Sequence, residues 1–457
     1  MTSPVLSLVR LLVAAASLSA LQTAPAPAVT CREWHDCQRL ALDAYARADY
    51  ELFHDLAWRT VQTGQPRNAE LMYMLARAQS LSGRPHDALV MLGRLAEVGF
   101  VSDAATNDDF RAVRQLRQWP ELEAAIAAAA RPASASAPTN SAPTVAAPSV
   151  AAPPAAAPPA AAPPAASPSV AAPRRLDEAL RTAGGVLGSA GLAYDRVSSR
   201  FVVADAGLRK LVIIDERSGH VVDLVTAASA GFYDITGLEI DPLRGDLWVV
   251  SAEPTASGTN QSPASALHKL QLVSGRPVVQ IPVPADLQPC RLNDVAVTRD
   301  GGVLVLDAIG NRVLRLRSGT QTFASVATLH VEGATSLAAA GDRIVYVAHA
   351  SGVARVDTVT GAVHPVISEP DVQLGGLERI RWARDSLIGI QRLSDGSQRA
   401  VRIRIADGRA AAMDVIDTGI TATDHPVAAV SGDDFYLLVH QASGSSNEVV
   451  IRRSSVR

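Results

Sequence analysis

Residues 191–195 of the chain read GLAYD, and residues 237–241 return to the same pattern as GLEID. Each stretch begins with glycine, alternates apolar residues and ends at an aspartate, which is typical of a short strand that enters a turn. Related starts follow at residues 293–297 (NDVAV), 335–338 (TSLA), 376–379 (GLER) and 426–429 (PVAA). Steps of roughly 40 to 55 residues, each with room for about four strands, are typical of β-propeller blades. The pattern therefore predicts a propeller of six blades.

The stretch just before the first blade has a predicted role in closing the ring. Residues 176–186 precede the first repeat and supply one more strand, which we expect to pair with the last blade. Such pairing removes the exposed strand edges that an open sheet would leave. The predicted propeller therefore spans residues 176–457.

The third repeat carries a resemblance to known families. Its residues 291–297 (RLNDVAV), 300–302 (DGG), 303–307 (VLVLD) and 311–313 (NRV) are similar to blades of the NHL and SMP-30/gluconolactonase families. The resemblance covers residues 187–457 and implies a six-bladed propeller. The resemblance also implies a site of the kind found in SMP-30-like lactonases, where an Arg-x-Asn-Asp stretch at a blade entrance holds substrate. A Glu, an Asn and an Asp, each just ahead of the glycine of an inner strand, bind a divalent metal there.

Only part of that site carries over to this chain. Arg291, Asn293 and Asp294 match the substrate-holding stretch, and we expect them to bind a ligand at the channel. The metal positions ahead of the inner-strand glycines are occupied by Ala190, Thr236, Thr335 and Gly375. Divalent cations such as Ca²⁺ prefer carboxylate oxygen, so these residues argue against lactonase chemistry. The sequence leaves catalysis undecided and leans against it, with no cofactor expected unless the hydrolase alternative holds.

Two acidic residues occupy similar places in their repeats. Glu239 and Glu378 each lie two residues past a glycine, in the second and fifth copies. Opposite blades of a six-membered ring would let the two acids face each other across the channel as ligand-binding groups. The alternative is that each acid is neutralised by a nearby arginine such as Arg379 or Arg381.

Residues 29–130 have a helical pattern. Apolar residues recur at helical spacing in two pairs, the first broken near Asp49 and the second turning at residues 83–85 (GRP). The pairs superimpose with a period of about 35 residues, and Ala76, Gly83 and Ala88 match the small-residue pattern of tetratricopeptide (TPR) repeats. A capping helix is predicted from Asp109 to Leu122. The region resembles TPR repeats, with a generic helical bundle as the alternative.

The N-terminus and the segment between the domains predict an exported two-part protein. Residues 1–28 combine one arginine, an apolar run and small residues before Val29, which is typical of a signal peptide. Residues 131–175 consist mainly of Ala, Pro and Ser, which is typical of a disordered, extended linker. We therefore expect a periplasmic or secreted protein without an integral membrane segment once the signal is removed.

The cysteines fit this location. Cys31 and Cys37 lie close together after the predicted cleavage site, so a local disulfide is expected, with a lipid anchor at Cys31 as the alternative. The isolated Cys290 is expected to be a small buried residue.

Charge and motifs narrow the function classes. The net charge of −3 gives no basis for nucleic-acid binding. The preferred hypothesis is an exported, non-catalytic protein that binds a protein or peptide through its helical repeats and a small ligand at the propeller channel. The alternative is a metal-dependent hydrolase of small lactones or esters.

Overall fold

The structure, a computed structural model, describes residues 31–65, 67–130, 176–182, 188–254, 263–317, 319–421, 426–443 and 446–455. The predicted signal peptide (residues 1–28) and the predicted linker (residues 131–175) lie outside the described residues. From Arg32 onward the chain forms one compact unit, which contains an N-terminal helical layer and a ring of β-sheets.

The helical layer has six α-helices within the described residues. They are α1 (Trp34–Ala46), α2 (Tyr50–Thr63), α3 (Ala69–Leu81), α4 (Pro85–Glu97), α5 (Arg111–Arg114) and α6 (Trp119–Ala129). The predicted breaks are confirmed: the Asp49 side chain accepts a hydrogen bond from the backbone N–H of Leu52 and caps α2, and Pro85 begins α4. The predicted single capping helix is instead a 3-10 turn followed by α5 and α6.

The cysteine predictions are confirmed. Cys31 and Cys37 are disulfide-bonded, which ties the start of the described chain to α1. Cys290 is a free thiol that is fully buried, and burial together with Asp307 raises its pKa far above the ordinary value. A thiol held in this form is a poor nucleophile, so Cys290 serves packing.

No helix of the described residues is long and apolar enough to cross a membrane.

Six four-stranded antiparallel sheets form the propeller, as the repeats predict. Blade one is β2 (Ser189–Asp195), β3 (Arg200–Asp205), β4 (Lys210–Asp215) and β5 (Val221–Val225); blade two is β6 (Asp234–Ile240), β7 (Asp246–Ala252), β8 (Ser265–Gln271) and β9 (Pro277–Pro282); blade three is β10 (Leu292–Val297), β11 (Val303–Asp307), β12 (Arg312–Leu316) and β13 (Phe323–Thr328). Blade four is β14 (Ser336–Ala340), β15 (Ile344–His349), β16 (Gly352–Asp357) and β17 (Val363–Pro365); blade five is β18 (Leu377–Ala383), β19 (Ser386–Arg392), β20 (Gln398–Ala406) and β21 (Arg409–Ile420). Blade six is β22 (Val427–Ser431), β23 (Asp434–Ser443) and β24 (Ser446–Ser455), completed by β1 (Asp177–Thr182). A short helix, α7 (Ala227–Ala230), follows blade one.

The ring is closed by the predicted strand. β1 pairs antiparallel with β24, so the first strand of the propeller completes its last blade. Apolar side chains fill the spaces between neighbouring blades; for example, Leu192 and Phe201 of blade one pack with Tyr436 of blade six. Burial of such interblade contacts stabilises the ring, since each sheet alone would expose two apolar faces.

The inner strands of blades one, two, three and five carry irregularities near their starts. The register shifts leave Ala190, Thr236 and Asn293 as the bulged residues of blades one to three. In blade five the irregularity falls between Glu378 and Arg381, where Arg379 adopts a positive φ of 52°. A bulge turns its extra side chain away from the regular pleat, and in a propeller inner strand this places it at the channel.

The helical layer packs on the propeller through α2 and α4. The ring of Trp58 lies against Gly245 in the β6–β7 turn and is 1 % exposed. Asp87, which is 2 % exposed, accepts a hydrogen bond of 2.9 Å from the backbone N–H of Ser274 in the β8–β9 turn. These contacts bury a tryptophan and a carboxylate that the helical layer alone would expose.

Candidate functional site

The propeller channel has two mouths, and the sequence-predicted residues Arg291 and Asn293 lie at the one where the inner strands begin, here the first mouth. Arg291 donates a hydrogen bond of 2.9 Å from Nη1 to Oδ1 of Asn293. The amide nitrogen of Asn293 donates to the backbone carbonyl of Thr335 at 2.6 Å. Both polar ends of the Asn293 amide are thus engaged within the protein, while Nε of Arg291 is buried and has no hydrogen-bond partner in the part of the chain that the structure describes.

The Asp294 carboxylate is engaged in bonds that hold neighbouring blades together. It is fully buried, and its carboxylate accepts hydrogen bonds from the backbone N–H groups of Val295 and Leu337 and from Nη1 of Arg381. These bonds connect blades three, four and five. The three predicted ligand-binding residues of this stretch therefore lie side by side in the chain but differ in access, because Asp294 faces the blade interfaces.

The bulged positions correct one sequence assignment. Ala190 and Thr236 occupy the bulges of blades one and two, and the Thr335 hydroxyl donates to two backbone carbonyls as that of Thr236 does. Gly375 does not belong to this set. Blade five begins its inner strand at Leu377, and Arg379 lies in its irregularity instead. The assignment of Gly375 is wrong because Gly376 precedes the strand, whereas in blades one and two the bulged residue directly precedes the glycine.

Arg379 brings a positive charge to the channel. Its Nη1 donates a hydrogen bond of 2.9 Å to the backbone carbonyl of Thr236, which lies in blade two, three blades away around the ring. Burial lowers the pKa of this guanidinium. A cation of the protein among the bulged positions opposes the binding of a divalent metal there by charge repulsion. Within the described residues no group of three or more His, Cys, Asp or Glu side chains is placed to hold a metal ion.

Arg381 connects three blades inside the channel. From blade five its Nη1 lies 3.1 Å from Oδ2 of Asp294 in blade three, and its Nε lies 3.5 Å from Oε2 of Glu239 in blade two. Although burial opposes it, the two carboxylates raise the pKa of Arg381. The two arginines of blade five thus cross the channel between its mouths.

Glu239 is a carboxyl group in a poorly solvated position. Burial raises its pKa from 4.5 to about 7, Arg381 acts in the opposite direction, and the charge of Asp294 adds to the rise. Its side chain is still 30 % exposed because it faces a cavity. A carboxyl group with a pKa near 7 exchanges its proton readily at neutral pH and can accept or donate a hydrogen bond.

Glu378 does not share the level of Glu239. Glu239 pairs with Trp248 after the bulge of its strand, whereas Glu378 pairs with Ile390 before the irregularity of blade five. The two acids therefore lie at different positions along their strands and do not form the symmetrical pair expected from the repeats. Each acid has an arginine instead: Arg381 for Glu239, as the alternative proposed, and Arg392 for Glu378 at 3.3 Å.

A cavity of about 390 Å³ lies at the second mouth, where the inner strands end. It is bounded by side chains from the inner strands and their turns, with Glu239 and Trp382 among them. The level that holds Glu239 in blade two is occupied by alanine in four other blades: Ala193, Ala296, Ala338 and Ala429. Of these four, Ala193 and Ala429 belong to the lining of the cavity, whereas Ala296 and Ala338 are buried in the cores between blades.

Helix α2 lies over this cavity. Trp58 and Gln62, one turn apart on α2, belong to its lining. The indole N–H of Trp58 is buried and has no hydrogen-bond partner among the described residues. The site is therefore composite, because the propeller forms its floor and walls and the helical layer forms part of its cover.

Sequence reasoning identified Glu239 but missed the rest of this cavity. The helical period of α2 marks Trp58 as apolar-facing without showing which surface it meets. Arg196, Arg299 and Arg384, which line the cavity, follow the inner strands of blades one, three and five. Arginine also occurs in the first turns of blades two and four, as Arg244 and Arg343, so the sequence alone does not single out these three positions.

Comparison with known proteins gives a fold and no family. No protein family profile and no curated protein sequence matches this chain. Similar solved structures include a pyrroloquinoline-quinone-bound aldose sugar dehydrogenase from Streptomyces coelicolor, at 12 % identity and TM-score 0.42, covering 62 % of this chain and 100 % of that one. Another is the Malassezia sympodialis allergen Mala s 1, at 16 % identity and TM-score 0.47, covering 62 % and 97 %. A third is a streptogramin B lyase, at 14 % identity and TM-score 0.41, covering 62 % and 87 %. Likeness at this level does not bear on function, and the chain stands as a six-bladed propeller preceded by a helical region.

Proposed function

We propose that this protein is an exported, non-catalytic binding protein that holds a small ligand in the cavity at the second mouth. The observation that carries the proposal is the cavity itself, which has a size at the lower end of the range for small-molecule sites and is covered by α2. Its position between two parts of one compact unit is also typical of ligand sites. The disulfide of Cys31 and Cys37 supports export, since such bonds persist in oxidising compartments.

The helical layer supports the same proposal by the way its faces are used. α2 and α4 meet the propeller through Trp58 and Asp87. The face of α1 and α3 is covered by the segment before α5: Asp109 accepts hydrogen bonds from Tyr45 and Arg77, and its carbonyl accepts one from Ser80. Both faces are engaged within the chain, so closing the cavity is the role that fits the layer best.

The first mouth is less suited to a ligand. Arg291 and Asn293 bond to each other, and the amide of Asn293 is also engaged by Thr335. A ligand there would have to replace bonds that are already made, which reduces its net gain. Each mouth has a buried donor without a partner among the described residues, Arg291 Nε at the first and Trp58 Nε1 at the second, so the cavity beneath α2 is what favours the second mouth.

A pair of variants distinguishes the two mouths. Ala339 lines the cavity and is partly exposed, so Ala339→Phe should fill it, whereas Arg291→Ala alters only the first mouth. Thermal-shift and saturation-transfer NMR screens with a library of small metabolites should give ligands that Ala339→Phe abolishes and Arg291→Ala retains. These ligands should be recovered chemically unchanged after incubation.

The opposite pattern would contradict the proposal. Ligands lost in Arg291→Ala and kept in Ala339→Phe would move the site to the first mouth. Conversion of a bound compound into product, lost in Glu239→Gln, would make the protein an enzyme. If Ala339→Phe does not reduce the binding of any ligand found in the screen, the cavity is not the binding site.

A further inference from the structure

The cavity at the second mouth presents an unequal set of hydrogen-bonding groups. Two arginines in its lining, Arg196 and Arg299, make no ion pair and no side-chain hydrogen bond with another described residue. A third, Arg384, is paired with Asp433 at 2.5 Å. Guanidinium groups are always charged and only donate hydrogen bonds, so these three side chains bring donors and positive charge to the rim.

The cover of the cavity adds another donor. The indole Nε1–H of Trp58 can only donate, and it is buried in a residue that is 1 % exposed without any partner among the described residues. A buried donor without an acceptor is costly, and it gains a bond when a ligand oxygen reaches it. The orphaned indole is independent of the arginines, because it comes from α2 and they come from propeller turns.

The two carboxyl groups in the lining, Asp195 and Glu239, differ in whether they can reach a ligand. Asp195 is buried and spends its oxygens on two backbone N–H groups and on Arg200. Glu239 is the carboxyl group that faces the cavity, and it lies against Arg381. The lining therefore offers a rim of free cationic donors and one carboxyl group at depth.

We propose that the ligand is a small, oxygen-rich organic anion that carries a carboxylate or a phosphate together with hydroxyl groups, of about monosaccharide size. The anionic group lies between Arg196 and Arg299, an oxygen accepts the hydrogen bond of Trp58, and a hydroxyl group meets Glu239. The apolar surface of Trp382 packs on the body of the ligand. This inference rests on the proposed function, because it names the ligand class of the same cavity.

A matched set of sugars tests the charge preference. Isothermal titration with D-glucuronate, D-glucose 6-phosphate, D-glucose and D-glucosamine compares two anions, a neutral sugar and a cation on similar rings. We expect at least one anion to bind, with an affinity at least tenfold above that of glucose and with no binding of glucosamine. The stronger of the two anions distinguishes a carboxylate ligand from a phosphate ligand. Raising the salt concentration should lower the affinity for the anion, because salt screens its attraction to the arginines.

Variants then assign the contacts. Trp58→Phe removes the indole N–H while keeping an aromatic ring, and Arg299→Gln removes the charge. Each substitution should lower the affinity for the anion by about tenfold, which is the effect of one hydrogen bond to a charged group. Arg217→Gln is the matched control, because Arg217 is exposed in the β4–β5 turn and is absent from the cavity lining. Its affinity should equal that of the parent protein. Circular dichroism and the melting temperature verify that each variant is folded.

The failures are distinguishable. Equal binding of glucose and the anions, or tighter binding of glucosamine, with loss in Ala339→Phe, would overturn the ligand class and leave the cavity as the site. Anion binding that survives both Trp58→Phe and Arg299→Gln would also overturn the assignment. Absence of binding by all four sugars contradicts the ligand class, and the metabolite screen with Ala339→Phe then decides the proposed function separately.

Discussion

At the scale of single residues, the channel depends on charges that the protein neutralises internally. Arg381 reaches from blade five to Asp294 and Glu239, so three blades share one buried network. Removing one member of such a network leaves an uncompensated charge, which costs more than the intact network contributes. The network therefore favours the closed ring over arrangements in which these blades separate.

The raised pKa of Glu239 predicts a pH-dependent stability. Because its folded pKa is about 7 and its ordinary pKa is 4.5, the folded state binds more protons than the unfolded state between these values. The contribution of Glu239 is therefore most favourable below about pH 4.5 and is lost as the pH rises toward 7. Glu239→Gln removes this dependence.

The measurement compares melting temperatures of the parent and Glu239→Gln proteins at pH 5 and pH 8. The parent should lose stability relative to the variant as the pH rises. Glu123→Gln is the control, since Glu123 is exposed on α6 and should not change the difference. An unchanged difference between parent and Glu239→Gln across this range would show that the carboxyl group is well solvated.

At the scale of elements, the contact between α2 and the β6–β7 turn requires a glycine. Gly245 has a φ of 66°, and a Cβ atom built there would lie 2.8 Å from the ring of Trp58. Gly245→Ala thus combines backbone strain with overpacking against a buried tryptophan. We expect a loss of about 2–4 kcal/mol in the free energy of unfolding, measured by urea denaturation.

A second glycine separates strain from contact. Gly396 has a φ of 84° and nothing within 4 Å of a built Cβ, so Gly396→Ala should cost only about 1 kcal/mol. In a Trp58→Ala background Gly245→Ala should fall to the same value. If Gly245→Ala costs no more than Gly396→Ala in the parent protein, α2 does not rest on this turn in solution.

The elements also show what the sequence can and cannot predict. The six blades and the closing strand were predictable because glycine and aspartate mark turns locally, and β1 joins β24 as expected. The position of the irregularity in the inner strand of blade five was not predictable, because it follows Glu378 rather than Gly376. Bulges depend on how a strand meets its neighbour, which no short motif encodes.

The site shows the same division. Glu239 stood out because it and Glu378 each lie two residues past a glycine, and the alternatives for its partner included Arg381, which the structure places beside it. The cavity was not predictable, since it exists only where α2 meets the propeller. Helical periodicity shows that Trp58 lies on an apolar face, and only the folded chain shows that the face covers a channel.

At the scale of the whole molecule, the helical layer and the propeller are one compact unit, although a Pro/Ala-rich stretch separates them in sequence. Because that stretch is rich in small and polar residues, limited proteolysis should cut within residues 131–175 and give two resistant pieces. The contacts of Trp58 and Asp87 predict that these pieces remain associated in size-exclusion chromatography.

Asp87 tests this association. Asp87→Ala leaves the backbone N–H of Ser274 without its acceptor, and this buried loss should weaken the association of the cleaved pieces about tenfold. Glu123→Ala is the control on exposed α6 and should leave the association unchanged. Pieces that separate completely in the parent protein would mean that the two domains act independently and that α2 does not cover the cavity.

The central claim is that a small ligand occupies the cavity between α2 and the end of the propeller channel. The most direct measurement is a crystal structure of the protein with a ligand that binds in solution. We expect electron density beneath α2, with a ligand oxygen within hydrogen-bond distance of Trp58 Nε1 and the anionic group beside Arg299. Density at Arg291 and Asn293, with the cavity beneath α2 containing only water, would contradict it.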